Sequence, residues 1–228
     1  MKNNSNVAKR LIIAIDGPSG AGKGTVAREL AVRLGYRHID TGAMYRALAW
    51  EAAHNGLDLA NESAVAALGE RAVFDLEGGR VNIDGHDVRT AIRTPEIDKA
   101  AASVARHPAV RKVLVARQRA FGEGGGVVME GRDIGTVVLP DADVKIYLDA
   151  SPEERARRRA ADPAHTSSKT AQLSDVATAL AERDRSDSTR AASPLAVAPD
   201  AVVIDTTGVP IDDVIEKVLR LVAAADVR

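Results

Sequence analysis

Cysteine is absent from the 228 residues, which excludes disulfide staples and thiolate metal sites and suits a reducing compartment. Aromatic residues make up only 3%, so stacking platforms for nucleic-acid bases are scarce and aliphatic side chains must fill the core. No charge of one sign prevails: 31 Lys and Arg stand against 32 Asp and Glu, a formal net charge of −1. No global field therefore favours nucleic acid or an anionic membrane, and the basic residues are interleaved with acids. Long apolar runs are missing too. None approaches the length of a membrane span, and the polar opening "MKNNSNVAKR" has no signal-peptide apolar region after it. The expectation is a soluble cytoplasmic protein without a nucleic-acid or membrane partner.

What is present is aliphatic. Hydrophobic residues reach 45%, enough for one sizeable α/β core with small insertions. After a loose tail over residues 1–10, "RLIIAID" is a short continuous apolar strand of the kind buried on both faces of a parallel sheet. Gly22 to Leu34 follows as a helix with Val26, Leu30 and Leu34 on one face. "YRHID" is a weaker strand, after which Thr41 can cap a helix through "GAMYRALAWEAAHNG". From Leu57 to Ser103 the texture changes. "AVFDLEGGRVNIDGHDV" alternates around Gly78-Gly79 and turns again at Asp84-Gly85, which predicts a meander of short antiparallel strands inserted in an alternating chain.

A helix from Pro108 to Phe121, a glycine-rich turn at Gly122 to Gly126, and two further strands, "VVME" and "VKIYLD", come next. "PEERARRRAA" opens a charged helix at a proline in its first turn. Asp162 to Ala192 is polar and charge-dense, a mobile lid or an exposed helix pair, and contains the low-complexity patch "PAHTSSKT" at 163–170. "AVVIDTT" is a last buried strand and "PIDDVIEKVLRLVAAA" a closing amphipathic helix. Five apolar strands separated by helices predict an α/β three-layer sandwich, a five-stranded parallel sheet covered on both faces.

The motif that carries chemistry is "GPSGAGKGT", set between the first strand and the first helix as a phosphate-binding loop (P-loop) requires. Gly17, Gly20 and Gly22 allow positive φ and close backbone approach, so successive N–H groups along the loop, which runs Gly17, Pro18, Ser19, Gly20, Ala21 and Gly22, can point inward at an anion. The helix beginning there adds its positive dipole end. Lys23 supplies a mobile charge for the outer phosphates of a nucleoside triphosphate. Gly24 intervenes where the strict pattern wants a hydroxyl, so Thr25 is assigned the magnesium-side hydroxyl.

Four more stretches follow in order: "DTGAMYRALA", "DGHDVRTAIRTPEI", "EGRDIGTVVLPDADVKIYLDAS" and "ERDRSDSTRAASPL". Together with the loop they closely resemble the bacterial cytidylate kinase family, over nearly the whole chain from about Leu11 to Leu221. The Lys-Gly-Thr ending of the loop is also usual in nucleoside monophosphate kinases. The resemblance implies phosphoryl transfer from ATP with Mg2+ to CMP and dCMP in pyrimidine nucleotide metabolism, by a protein expected to be a monomer. It implies a core over 11–40, 108–154 and 191–228, a monophosphate-binding segment over 41–107 that contains the meander, and a short lid over 155–190.

Transfer between two anions is mostly positioning and charge neutralisation, and guanidinium forks match phosphate oxygens while staying charged. By family position, Arg46, Arg132 and Arg183 clamp the acceptor phosphate, and Arg158 with the lid residues bridges toward the donor phosphates. Lys23, Arg132, Arg183 and Arg190 form the expected catalytic set. Glu130 ends a strand at the edge where ligands gather in open α/β sheets, and can hold Mg2+ through water. Asp16, one residue before the loop, is read as a structural acceptor for backbone amides.

Cytosine offers two acceptors, O2 and N3, beside a donor amine. Its reader needs a fixed cation and a carboxylate or hydroxyl, and Arg111, Asp133 and Ser103 match the family positions for that task. Asp187 and Arg190 reach the acceptor sugar by the same carry-over, and Thr41 and Tyr45 line its pocket. The alternatives are a related acceptor (UMP, AMP or a small alcohol) and a nucleotide switch with no acceptor. The switch lacks the guanine-reading Asn-Lys-x-Asp string and leaves the arginine pairs without a task. Closure over both nucleotides is expected, because water competes as acceptor. Gly122 to Gly126 and the patch at 163–170 are the candidate flexible points.

Overall fold

A computed structural model describes residues 10–162 and 172–226. Five strands, β1 (Ile12–Asp16), β2 (Arg37–Asp40), β6 (Val127–Glu130), β7 (Val144–Asp149) and β8 (Val202–Asp205), form one parallel sheet in the order β2-β6-β1-β7-β8. Side-chain alternation divides the core between the two faces. Ala14, Val127 and Met129 join Ile39, Leu48 and Leu114 on one side, while Ile13, Ile15 and Val128 join Leu30, Ile146 and Val218 on the other. Helices α1 (Lys23–Leu34) and α8 (Ile211–Asp226) cover the second face. Helices α2 (Thr41–His54) and α5 (Pro108–Gly122) cover the first.

The expected last strand needs one correction. β8 lies at the sheet edge with a single neighbour, and Val202 and Val203 are 39% and 54% exposed. Its "VVID" composition is that of an interior strand, but only Ile204 is buried.

The meander is present as β3 (Phe74–Asp75), β4 (Asn82–Ile83) and β5 (His86–Asp87), antiparallel and two residues each. Two helices flank it inside the segment where only strands were expected: α3 (Glu62–Arg71) and α4 (Pro95–Val104). Both carry start signals. Asn61 accepts from the Ala64 amide ahead of α3, and Thr94 accepts from the Ile97 amide ahead of α4, whose first residue is proline.

Thr41 is not the cap of α2. Asp40 holds that place, its carboxylate accepting from the Ala43 amide at 2.9 Å, while Thr41 is the first helical residue and its hydroxyl donates to the Glu130 carbonyl at 2.7 Å.

In the charge-dense region, α6 (Pro152–Ala161) packs against α7 (Leu173–Thr189) through Ala156, Val176 and Leu180. The described residues of this region form a helix pair; the patch at 163–170 lies outside the described residues. The glycine turn is not placed to hinge this pair. Gly122 ends α5, and the Gly126 amide donates to the Leu11 carbonyl at the N-terminal end of the sheet, opposite the edge where the chemistry gathers. Glu123 and Gly124 are exposed, while Gly126 is hydrogen-bonded into the strand end.

Candidate active site

The register of the sheet lines up acids at the carboxyl ends of neighbouring strands: Asp40 and Ile15 both pair with Glu130, and Asp16 follows Ile15. A cavity of about 860 Å³ opens at this edge, bounded by the phosphate-binding loop, the start of α2, the segment after β6, and helices α6 and α7. Open α/β sheets bind ligands at such an edge.

The loop is shaped by contacts beneath it. Gly17 has φ +145°, and a Cβ there would fall 2.0 Å from the Leu148 carbonyl oxygen, so no side chain fits. The Pro18 carbonyl accepts from Lys23 Nζ at 2.7 Å. Gly17 and Pro18 thus sit under the loop, while Ser19, Gly20, Ala21, Gly22, Lys23, Gly24 and Thr25 line the cavity. α1 begins after Gly22 (φ 94°) with no side-chain cap and no acid in its first turn. Its first amides and its dipole are therefore unopposed by any neighbouring carboxylate of the helix itself. Lys23 is buried among cations. Burial, and after it Arg132, lowers its pKa to about 7, a penalty that an added phosphate charge relieves.

Asp16 does what its position suggested: its two oxygens accept from the Ile134 and Gly135 amides, each at 2.8 Å. This fixes the segment after β6, the source of Arg132 and Asp133. Burial raises the Asp16 pKa to about 6 against those two hydrogen bonds.

Across the cavity stand Arg46, Arg132 and Arg183, each held by a carboxylate. Arg46 Nη2 donates to Asp40 at 2.9 Å and Arg132 Nε to Asp187 at 2.8 Å, while Arg183 Nη1 reaches Asp98 at 3.3 Å. Burial and then Arg132 lower the Arg183 pKa, the mark of like charges crowded in one place. Arg158 borders the loop instead, where Nη1 donates to the Thr206 hydroxyl and Nη2 to the Thr206 carbonyl.

Beside these lies a buried polar group. Arg111 pairs with Asp133, Arg190 lies 3.6 Å from Asp133 and 3.7 Å from Asp187, and the Arg111 guanidinium sits 5.5 Å from the Tyr45 ring centre. The Tyr45 hydroxyl and Arg190 Nη2 are buried without a hydrogen-bond partner among the described residues. Such atoms cost about 1–3 kcal/mol each unless something satisfies them. Thr41 forms part of the wall with Tyr45.

Ser103 is the exception. It is exposed on α4, and Ala102 faces the cavity in its place. One residue along a helix turns the side chain by about 100°, which leaves Ser103 beside this wall rather than in it.

Further groups that the sequence left without a role join the cavity, among them Arg93, Arg159 and His38. Arg93 stands inside the quoted "RTAIRTPEI" and Arg159 inside "ERARRR", where neighbouring charges masked them. His38 alternates with Ile39 on β2, and its Nε2 lies 2.9 Å from Glu130 Oε1. Glu130 is itself buried, and its Oε1 would lie 3.2 Å from a Cβ at Gly24. The carboxylate therefore overhangs the start of α1 next to Thr25. Among the described residues, no group of three or more His, Asp or Glu forms a self-contained metal site, and no helix is long and apolar enough to cross a membrane.

Comparison with known proteins bears on this geometry. A family model described as cytidylate kinase matches residues 13–224. A cytidylate kinase of Solibacter usitatus is 50% identical over 220 residues, 94% of this chain and 93% of that one. Another, of Pelotomaculum thermopropionicum, is 52% identical over 217 residues, 93% of this chain and 96% of that one. A shikimate kinase from Acinetobacter baumannii in complex with shikimate matches with a TM-score of 0.51 at 16% identity over 98% of each chain, a likeness of fold. With a nucleotide loop, an arginine-lined second site and these relatives in agreement, the chain belongs to the cytidylate kinase family.

Proposed function

We propose that the protein transfers the γ-phosphoryl group of ATP to CMP or dCMP, giving ADP and CDP or dCDP, as a monomer in the cytoplasm. The observation that carries this reading is that one cavity holds both cation sets. Lys23 and the uncapped amides of α1 lie on one side, Arg46, Arg132 and Arg183 on the other. In the reaction, an oxygen of the acceptor phosphate forms a bond to the γ-phosphorus while the bond to the β,γ-bridging oxygen breaks, and ADP leaves. Little covalent chemistry falls to the protein, which aligns the two nucleotides and offsets their charge.

Residues 41–107 then hold the acceptor and 155–190 supply the lid, around a core of 11–40, 108–154 and 191–228. The loop from Gly17 to Thr25, with Arg158, takes the donor phosphates. Thr25 and Glu130 are hard oxygen donors adjoining the loop and would hold Mg2+ together with the phosphates and water, as that ion prefers. When bound, it neutralises charge on the phosphate oxygens. Arg111 and Asp133 read the cytosine acceptors and amine, while Tyr45, Asp187 and Arg190 close the pocket around base and sugar. Uracil would turn an oxygen toward the Asp133 carboxylate, at a cost on the order of several kcal/mol.

A coupled assay with ATP, Mg2+ and each of CMP, dCMP, UMP and AMP tests this. The cytosine nucleotides should turn over fastest. A faster UMP or AMP rate would overturn the base assignment.

A further inference from the structure

The acceptor-side arginines share a pattern: each is paired with a carboxylate, and the three carboxylates come from different places. Asp40 caps the helix that carries Arg46, and Asp187 lies on α7 and holds Arg132. Asp98 belongs to neither the core nor the lid. It sits in the first turn of α4, where the Thr94 cap and Pro95 start the helix, and its amide donates to the Thr94 carbonyl at 3.0 Å.

From there its side chain, 12% exposed, meets two guanidiniums from two lid helices, Arg159 of α6 and Arg183 of α7. These cations would otherwise be repelled by their cationic neighbours: Arg46 acts electrostatically on both, and Arg132 on Arg183. Neither could then keep a fixed direction, since a fork gives specificity only when its plane is held. Arg106 adds a weaker link between the same parts, its Nη1 donating to the Ser186 hydroxyl at 3.3 Å.

We propose that Asp98 is a positioning residue for acceptor binding: it gathers Arg159 and Arg183 and ties the α4 segment to the lid, so that the acceptor phosphate meets an oriented pair of forks. The carboxylate does not touch the reacting atoms. It acts through the two arginines, at the one place among the described residues where a carboxylate of α4 pairs with both lid helices. This role rests on the reading of Arg183 as an acceptor-phosphate ligand.

The test is steady-state kinetics of Asp98→Asn, Asp98→Glu and Arg159→Lys, with ATP and CMP varied separately and thermal midpoints measured alongside. Asp98→Asn keeps the size and loses the charge. It should raise the KM for CMP about tenfold, the loss expected for a charged hydrogen bond, while the KM for ATP stays within about twofold. Asp98→Glu restores a carboxylate and should return the CMP value to within about threefold of the parent. Arg159→Lys, approached from the other partner, should repeat the Asn signature even if Asp98→Asn folds poorly.

A lowered midpoint with an unchanged KM for CMP would make Asp98 a merely structural residue and overturn the proposal. A lowered KM for CMP would also overturn it, since Asp98 would then be competing with the phosphate. Arg183→Lys separates the two readings. If it leaves the KM for CMP unchanged, the acceptor-site assignment itself fails; if it raises that KM while Asp98→Asn does not, only the role of Asp98 fails.

Discussion

Arg111 of α5 and Asp133 of the turn after β6 form a buried ion pair, their side chains 4% and 8% exposed, with Arg190 on the far side of the carboxylate. An ion pair so enclosed contributes little net stability by itself but is costly to break, because the survivor is left charged and dry. It sets a fixed donor and acceptor in the cavity wall, and under the proposed function these face the base of the acceptor.

Asp133→Ala should lower kcat/KM for CMP by about 10²–10³-fold, with the KM for ATP within about twofold, because a site built for a polar partner loses it. Stability should fall by about 3–5 kcal/mol as Arg111 is stranded. Initial rates with each substrate varied, plus urea titration, check both. An equal loss toward ATP and CMP would count against base reading.

A second strut runs from the lid to the loop. Arg155 is buried, and its Nε donates to the Ala150 carbonyl and Nη1 to the Ser19 carbonyl at 3.1 Å each; Nη1 also pairs with Asp184 of α7 at 2.5 Å. Lysine cannot reproduce three directed bonds. Arg155→Lys should therefore raise the KM for ATP about tenfold and leave that for CMP nearly unchanged, the reverse of the Asp98 signature. Separate KM determinations decide between the two patterns.

Asp16 gives a pH prediction whose sign differs from the common carboxylate case. Burial raises its pKa from 3.8 to about 6, so the folded chain holds this proton more tightly than the unfolded one. Its contribution is fully present below about pH 4 and is lost as pH rises through 6, a swing of about 3 kcal/mol. Asp16→Asn removes the titration and adds a constant penalty, since its amide group opposes one of the two backbone N–H donors. The stability difference between parent and variant should shift in the variant's favour from pH 4 to pH 7. Chemical denaturation across that range reads it, and a flat difference would contradict the buried-acid account.

Saturating ATP with CMP should protect residues 155–190 from limited proteolysis if, as proposed, both nucleotides meet the arginines of α6 and α7 that line the cavity. Cleavage sites mapped by mass spectrometry check this. Unchanged cleavage would argue against closure.

The sheet and the loop were legible because their signals are local. "LIIAID" followed by "GPSGAGKGT" states a buried strand, a glycine turn and a helix start within a few residues, and the structure has each of them. What was hidden depends on distance. The α3 and α4 helices are an exception, since their start signals, Asn61 and Thr94-Pro95, are local, but the glycine turns of the meander between them dominate that segment. The exposure of β8 follows from its place at the edge, which "VVID" alone does not reveal.

The site divides in the same way. Arg111, Arg132, Asp133, Arg183, Asp187 and Arg190 do converge on one cavity, yet only the family resemblance could bring them together across such separations. Ser103 stays exposed on α4, outside the cavity wall. Asp98, Arg93 and Arg159 were passed over because a charge among charges carries no local mark; pairing across the cavity distinguishes Asp98 and Arg159, and a place in the cavity wall distinguishes Arg93.

The central claim is that the loop before α1 holds the triphosphate in the same cavity where the arginines hold its acceptor. The most direct test is ATP-dependent CDP formation by Lys23→Met beside the parent protein, with folding verified by circular dichroism. Removing the buried ammonium from the transferring phosphates should cut the rate on the order of 10²–10³-fold or more. A Lys23→Met protein that makes CDP at the parental rate would contradict the account.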